Sequence, residues 1–543
     1  MLREVSKTGD ISAWLHDRAA DFDSPIYQIF LRPFGQPTVV LSDFREAQDI
    51  CMRRKEFDRG QSLKDLFRGS SPNHHITLST DDKWKAHRRL LQDLMSPPFL
   101  RDVAAPEIYT NVLNLVSLWN EKTRVADGRP FDADLDIHYA ALDAVTAFSF
   151  GKNFSHNATK PVADLIRRLT PKEVARMSET ASVDDPIEFP SVQYDEVVAA
   201  ILCVTTAIEK LHGSPWPVWK WKFIERLPPL NRNMRVKNDF IVEELENATA
   251  RLQVYGDDES WVRSAVDLMV QRERKLAHDE RREPDFLSPI MKEELFGVII
   301  GGHDTTSTTM LWGLKLLADH PLLQSKLRAA MERENCEATN EARNLTIKEI
   351  MHNKVPYLDA TMEEILRCAG TAPLVERQAL CDTILLGRHI PQGTKVFCLS
   401  QGASMKKPAY RIDEMSRNET CRLSVKNRGR VPEWDPEDIA EFKPERWLTA
   451  TVPSEKPQIN GVKLESADQE FDSSAGPQLA FGLGKRGCFG RRLAYVELRI
   501  ILSLLVWNFE ILKCPEALSG YEGKDGVTYR PIKNFVRLKK VQR

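Results

Sequence analysis

Of the nine cysteines in the chain, the one at position 488 stands in a setting suited to chemistry. It falls in the run Phe481-Gly-Leu-Gly-Lys-Arg-Gly-Cys-Phe-Gly, and an amphipathic stretch opens at Arg491. Glycines let a backbone take conformations that other residues avoid, and let a flat ligand come close. A cysteine just ahead of a helix N-terminus meets partial positive charge that favours the thiolate, and Arg486 adds to that field. One thiolate cannot complete a zinc or iron–sulfur site, but it can be the axial ligand of a haem. The same residues also describe a turn into a helix that carries a buried cysteine, and the segment alone leaves both readings open.

Three further groups of residues have spacings that could matter. Gly301-Gly-His-Asp-Thr-Thr306 sits inside a long helical pattern, where each glycine costs ~1 kcal/mol relative to alanine. Either a flat ligand or close helix packing would compensate, and Asp304 and Thr305 set an acid and a hydroxyl at the thinned place; Thr308 and Thr309 fall near the same face. Glu364 and Arg367 lie three apart on one helix face, as an ordinary solvated ion pair would. Trp84 and Arg88 are one helical turn apart.

These residues need elements to position them. Two short strands are expected within 26–41 around a Pro/Gly turn, and from about residue 82 a helical period dominates. Helices are expected over 82–94, 107–120, 139–150, 192–212, 236–251 and 357–368. A longer one over 288–320, with Pro321 as its stop signal, would span ~50 Å. Strand-like pieces at 383–386 and 395–399, a last helix over 490–507 and a strand-like tail over 526–537 complete the pattern. The polar stretches 404–434 and 449–474 read as loops, not domain linkers, because strong motifs flank both.

Bulk properties narrow the function classes. The 543 residues include 76 Lys plus Arg and 78 Asp plus Glu, a net charge of −2, which lacks the basic footprint of a nucleic-acid binder. The cysteines show no zinc-like spacing, and their odd number fits reduced thiols inside a cell. The longest apolar run, 500–507, is far short of the ~20 residues of a membrane span, and no secretory signal is visible.

The pattern Phe481, Gly484, Arg486, Cys488, Gly490, followed by Ala494 and Glu497, resembles the haem-binding signature of the cytochrome P-450 superfamily. Gly301–Thr306 is similar to that family's acid–alcohol segment, Glu364 and Arg367 to its E-x-x-R motif, and Trp84 and Arg88 to its W-x-x-x-R motif. The motifs stand in the family's order, and the resemblance covers about 25–540. It implies the mainly helical P-450 fold with a smaller β-rich part, as one domain over 1–543. It implies haem b with Cys488 as the iron's thiolate ligand, and a cofactor site made by Phe481, Arg486, Gly301, Gly302, Trp84, Arg88 and Arg377. By the same resemblance Thr305 hydrogen-bonds oxygen at the iron and Asp304 relays protons. Glu364, Arg367 and Arg446, from Phe442-Lys-Pro-Glu-Arg-Trp447, would form a structural triad.

The implied reaction inserts one atom of O₂ into a hydrophobic small molecule, in a style resembling fungal secondary metabolism. Its electrons would come from a separate NADPH-dependent flavoprotein reductase that docks near Lys485, Arg486, Arg491 and Arg492. Substrate lining is expected from 61–79, 295–300, 374–375 and 526–528. The family's N-terminal anchor is not seen, so the expected location is cytosolic or peripheral on the cytosolic face of the endoplasmic reticulum. The Trp-rich segment 215–229 suits either an interfacial contact or a packed loop. A haem-thiolate isomerase or dehydratase and a non-catalytic haem protein are the rival readings; retention of both Asp304 and Thr305 distinguishes the chain from isomerases that lack the pair.

Overall fold

The computed structural model describes residues 5, 9–31, 35–152, 154–178, 182–256, 258–450 and 469–542. Helices make up most of it, as expected. The long helix spans Pro289–Asp319, with the Ser288 side chain accepting from the Met291 amide as N-cap, which removes one of the helix's orphan donors. It packs against the helix Asp134–Phe150, buried along nearly its whole length. The helices Ala105–Ala126 and Arg491–Asn508 complete this core. Arg491–Asn508 buries Leu493, Leu498, Ile501, Leu505 and their neighbours beneath the long helix.

The β-rich part is a five-stranded sheet in the order Ile26–Ile29, Thr38–Leu41, Lys395–Leu399, Leu374–Ala379, Phe57–Arg59. Only the pair Thr38–Leu41 with Lys395–Leu399 is parallel. Val39, Leu41, Val396 and Cys398 face the helix Phe44–Met52 in a smaller core.

Several expected elements need correction. Helices occur well before residue 82, at Ile11–Asp21, Phe44–Met52 and Gln61–Arg68. They are short and take their stability from docking, not from a long periodic face. Pro321 ends the long helix and also opens the next, Pro321–Glu334, because proline suits a helix's first turn. The segment 236–251 is the middle of a longer helix, Pro228–Tyr255. The polar stretch 404–434 is not all loop. It holds the helix Glu419–Arg428 and buries Arg417 against Asp43 at 2.8 Å and Glu46 at 3.3 Å. The second polar stretch lies outside the described residues over 451–468; its flanks pair as the strands Leu448–Ala450 and Gln469–Phe471. Among the described residues no helix is long and apolar enough to cross a membrane.

Candidate functional site

The cysteine loop holds its shape through its own backbone. The Cys488 amide donates to the Phe481 carbonyl at 2.8 Å, and the Gly487 amide to that of Gly484 at 3.0 Å. Gly484 has φ +70°, and a Cβ there would lie 2.0 Å from the Cys51 carbonyl oxygen. Glycine is therefore required twice over, for the left-handed backbone and for docking onto the end of the helix Phe44–Met52. Burial pushes the Cys488 thiol up; the Gly490 and Arg491 amides and the Arg59 and Arg88 guanidinium groups pull it down. The helix start alone does not produce the thiolate expected from sequence. A coordinated metal ion would, since it deprotonates its thiol ligand.

Cys488 opens onto a cavity of about 400 Å³ whose far wall is the long helix at Gly301, Gly302, Asp304, Thr305, Thr306 and Thr309. The two glycines serve different ends. A Cβ on Gly301 would meet nothing within 4 Å, whereas one on Gly302 would lie 2.4 Å from Val145 Cγ2. Gly301 leaves space in the cavity, and Gly302 lets the helix Asp134–Phe150 press close. Close helix packing, one of the two alternatives raised by the sequence, accounts for Gly302, while Gly301 faces open space in the cavity. The Thr305 hydroxyl donates to the Gly301 carbonyl at 2.8 Å and faces the cavity. Thr309 also lines the cavity and bonds Thr371, whereas Thr308 is buried against Thr528.

One end of the cavity is cationic. Trp84, Arg88, Arg377 and Arg486 all line it, together with Arg59, which sequence reasoning missed. Arg59 lies in the three-residue strand Phe57–Arg59 with no helical or repeating pattern to mark it. Burial, then Arg486 and Arg377, push Arg59 down to about 9. Burial also brings Arg486 to about 10, with Asp58 opposing and Arg377 and Arg88 assisting. Arg377 Nη2, Arg486 Nε and Nη1, and Arg59 Nε are buried without a protein acceptor. Unmade bonds to buried charged groups are expensive, and guanidinium pairs best with carboxylates. Arg88 lies over the Phe489 ring at 4.1 Å and Arg486 over Trp84 at 4.9 Å. The donor set fits a flat macrocycle carrying carboxylates at one edge and a metal facing Cys488, which is the chemistry of haem.

The roof of the cavity rests on a carboxylate that sequence reasoning did not single out. Glu294, on the long helix, is fully buried. It accepts from the His75 amide, His75 Nδ1 and His87 Nδ1, each at 2.7 Å, and lies 3.3 Å from His74 Nε2. Burial pushes His74 down to about 3, so it is a neutral imidazole. Its Nδ1 accepts the Ile76 amide at 3.2 Å, which leaves the proton on Nε2, pointing at Glu294. The cluster His74, His75, Glu294 has the residue types of a metal site, but its protons are committed to the carboxylate. Burial raises the Glu294 carboxyl, yet the surrounding imidazoles outweigh it and hold it below the usual carboxylate range. The signal in the sequence was the pair His74-His75, whose partner lies 219 residues away.

Glu364 is the hub of a buried polar network. It accepts from Arg367 at 2.7 and 2.8 Å, Arg446 at 3.0 Å, the Trp447 indole at 2.9 Å and the Lys443 amide at 2.8 Å. The three charged groups come together, Glu364 and Arg367 fully buried and Arg446 nearly so, and not as a solvated pair. Trp434 lies 5.3 Å from the Arg446 guanidinium and packs where a Cβ on Gly476 would sit, just ahead of Phe481. A buried carboxylate, Glu497, accepts from the Thr306 hydroxyl at 2.7 Å, and burial pushes it up to about 8.

Comparison with known proteins agrees with this geometry. The family model described as Cytochrome P450 matches residues 7–410 and 434–535. The chain is 41% identical to "Cytochrome P450 monooxygenase TRI13" of Fusarium sporotrichioides, over 97% of this chain and 90% of that protein. It is 34% identical to "Cytochrome P450 monooxygenase GME11363" of Pestalotiopsis microspora, over 100% of this chain and 91% of the relative. Identity to "Cytochrome P450 monooxygenase xilC" of Penicillium crustosum is 36%, covering 97% and 87%.

Proposed function

The chain belongs to the cytochrome P450 family, a family of haem-thiolate monooxygenases, and from that premise we propose that it oxygenates a hydrophobic small molecule of secondary metabolism. Haem held through a thiolate supplies the electron density that favours cleavage of the O–O bond. In this reading Cys488 is the axial ligand, and Arg59, Arg88, Arg377, Arg486 and Trp84 take the carboxylate edge. Gly301 makes room on the helix face, and Thr305 offers its hydroxyl where oxygen reacts. Asp304 manages protons from the solvent side. Glu364, Arg367 and Arg446 hold up the loop that presents Cys488.

The carrying observation is that Cys488, Thr305 and the unpartnered guanidinium donors line one cavity whose remaining wall is largely apolar. Leu63, Phe67, Ile76, Val298, Leu374 and Val527 come from the stretches expected to meet substrate, and they favour an apolar guest. Cys488→Ala should abolish the thiolate-type absorption band of the reduced carbon monoxide complex; a retained band would remove Cys488 from the role.

Electrons are proposed to come from a separate flavoprotein reductase. Lys485, Arg491 and Arg492 are exposed beside the cysteine loop and suit an acidic partner. Arg486 is buried in the cavity wall and leaves that group. Peripheral membrane contact is proposed for the short helix Pro217–Ile224. Its Trp221 is buried, while Trp216, Trp219 and Phe223 are 67%, 70% and 69% exposed among lysines. Exposed indoles beside cationic side chains suit a lipid interface.

A further inference from the structure

Two of the free cysteines meet behind the cysteine loop. Cys51 stands near the end of the helix Phe44–Met52 and is partly exposed. Cys398 lies in the strand Lys395–Leu399, wholly buried, with Leu41 and Val375 opposite it on the neighbouring strands. The helix packs on this part of the sheet through Phe44, Ala47 and Ile50. That docking brings the two sulfur atoms into a side-chain hydrogen bond.

The two thiols are not equivalent. Cys398 donates to the Cys51 sulfur, the Arg377 guanidinium lies beside it, and the Leu483 amide also donates to it. These groups pull the Cys51 thiol down against burial, whereas the Cys398 thiol is pushed up. The thiolate is the reactive form of cysteine, so Cys51 is the nucleophile of the pair and Cys398 the second thiol. Cys51 is also where the cysteine loop docks. Its carbonyl oxygen would lie 2.0 Å from a Cβ on Gly484, next to the Leu483 amide that its sulfur accepts.

We propose that Cys51 and Cys398 are an oxidative modification site: hydrogen peroxide converts them to an intramolecular disulfide that ties the helix Phe44–Met52 to the sheet and braces the surface on which the cysteine loop docks. The Cys51 thiolate attacks one peroxide oxygen, the O–O bond breaks, and hydroxide leaves, giving the sulfenic acid. Cys398 then attacks the Cys51 sulfur, the S–O bond breaks, and the Cys398 proton leaves with the hydroxyl as water. The hydroxide of the first step takes up the proton that Cys51 had lost. Two thiols and one peroxide thus give one disulfide and two waters; each sulfur gives up one electron, and the peroxide gains two. Thiol reductants reverse the bridge by exchange.

The test uses the full chain loaded with haem, treated with a small molar excess of hydrogen peroxide, quenched with catalase and alkylated with N-ethylmaleimide. Peptide mapping without reductant should find Cys51 and Cys398 in one cross-linked species that dithiothreitol splits. Cys51→Ser and Cys398→Ala should each lose it, and in Cys398→Ala the reaction should stop at a Cys51 sulfenic acid that dimedone captures. The wild-type map decides even where a variant folds poorly. Oxidation should raise the urea midpoint of the wild type, since a bridge across a long loop constrains the unfolded chain, and dithiothreitol should return it. Transfer of haem to apomyoglobin should slow at least twofold on oxidation, because release needs local opening around the loop; Cys51→Ser should show neither change. The haem-transfer arm rests on the reading that Cys488 holds haem, whereas the map and the midpoint do not. A map in which Cys51 stays free, stops at the sulfenic acid, or bridges to Cys421 or Cys488 would overturn the pair. A bridge that leaves the midpoint and haem transfer at their reduced values would overturn the bracing. Absence of the thiolate-type band in the starting protein would strike the haem reading and not the pair, which the map decides alone.

Discussion

At the scale of single residues, adjacent positions carry opposite constraints. Gly302→Val should destabilise the fold by about 1–3 kcal/mol, the usual cost of overpacking, because its Cβ would lie 2.4 Å from Val145. Gly301→Ala should leave the unfolding free energy measured in urea within about 1 kcal/mol of wild type, and its effect should show instead in ligand binding spectra. Glu497 gives a pH test. Its pKa rises from 4.5 in the unfolded chain to about 8 in the fold. A raised carboxyl favours folding below the unfolded value and loses that advantage as pH climbs to the folded one. Stability should therefore fall between pH 4.5 and about 8 on account of this group, and Glu497→Gln should flatten that slope in urea titrations. The motif residues were legible in the sequence because each motif is local. Arg59 and Glu294 were not, because their partners lie 427 and 219 residues away, and at most the bare pair His74-His75 hinted at the second meeting.

At the scale of elements, Glu364 joins the helix Pro356–Ala369 to the turn Pro444–Trp447. Glu364→Gln should cost about 3–5 kcal/mol, since removing one partner strands the buried Arg367 and Arg446. Thermal unfolding would measure this, and haem content per chain should fall with it, because Trp434 lies against Arg446 of this network and packs on Gly476, just ahead of the cysteine loop. Long helices were readable from their period, and the long helix was placed to within a residue or so of Pro289–Asp319. Short helices such as Gln61–Arg68 and Glu419–Arg428 were not. Their sequences are too brief and too polar to announce a face, and docking decides them.

At the scale of the whole molecule, the fold arranges two kinds of surface around one interior. Exposed Trp219 and Phe223 stand on one short helix with exposed Trp216 at its N-cap, and Lys485, Arg491 and Arg492 are exposed on either side of Cys488 in the chain. The interior itself carries a thermodynamic consequence. Arg59, Arg377 and Arg486 stand close together with buried donors that no protein atom accepts, a place where, in the proposed reading, the carboxylates of haem would pair with them. In that reading haem would be a folding ligand as well as a cofactor. By mass action, free haem at 100 times its dissociation constant would add about 2.7 kcal/mol to stability. The amount of folded protein in a cell should then depend partly on how much haem that cell makes, and a haem-starved culture is expected to lose the protein before it loses the message.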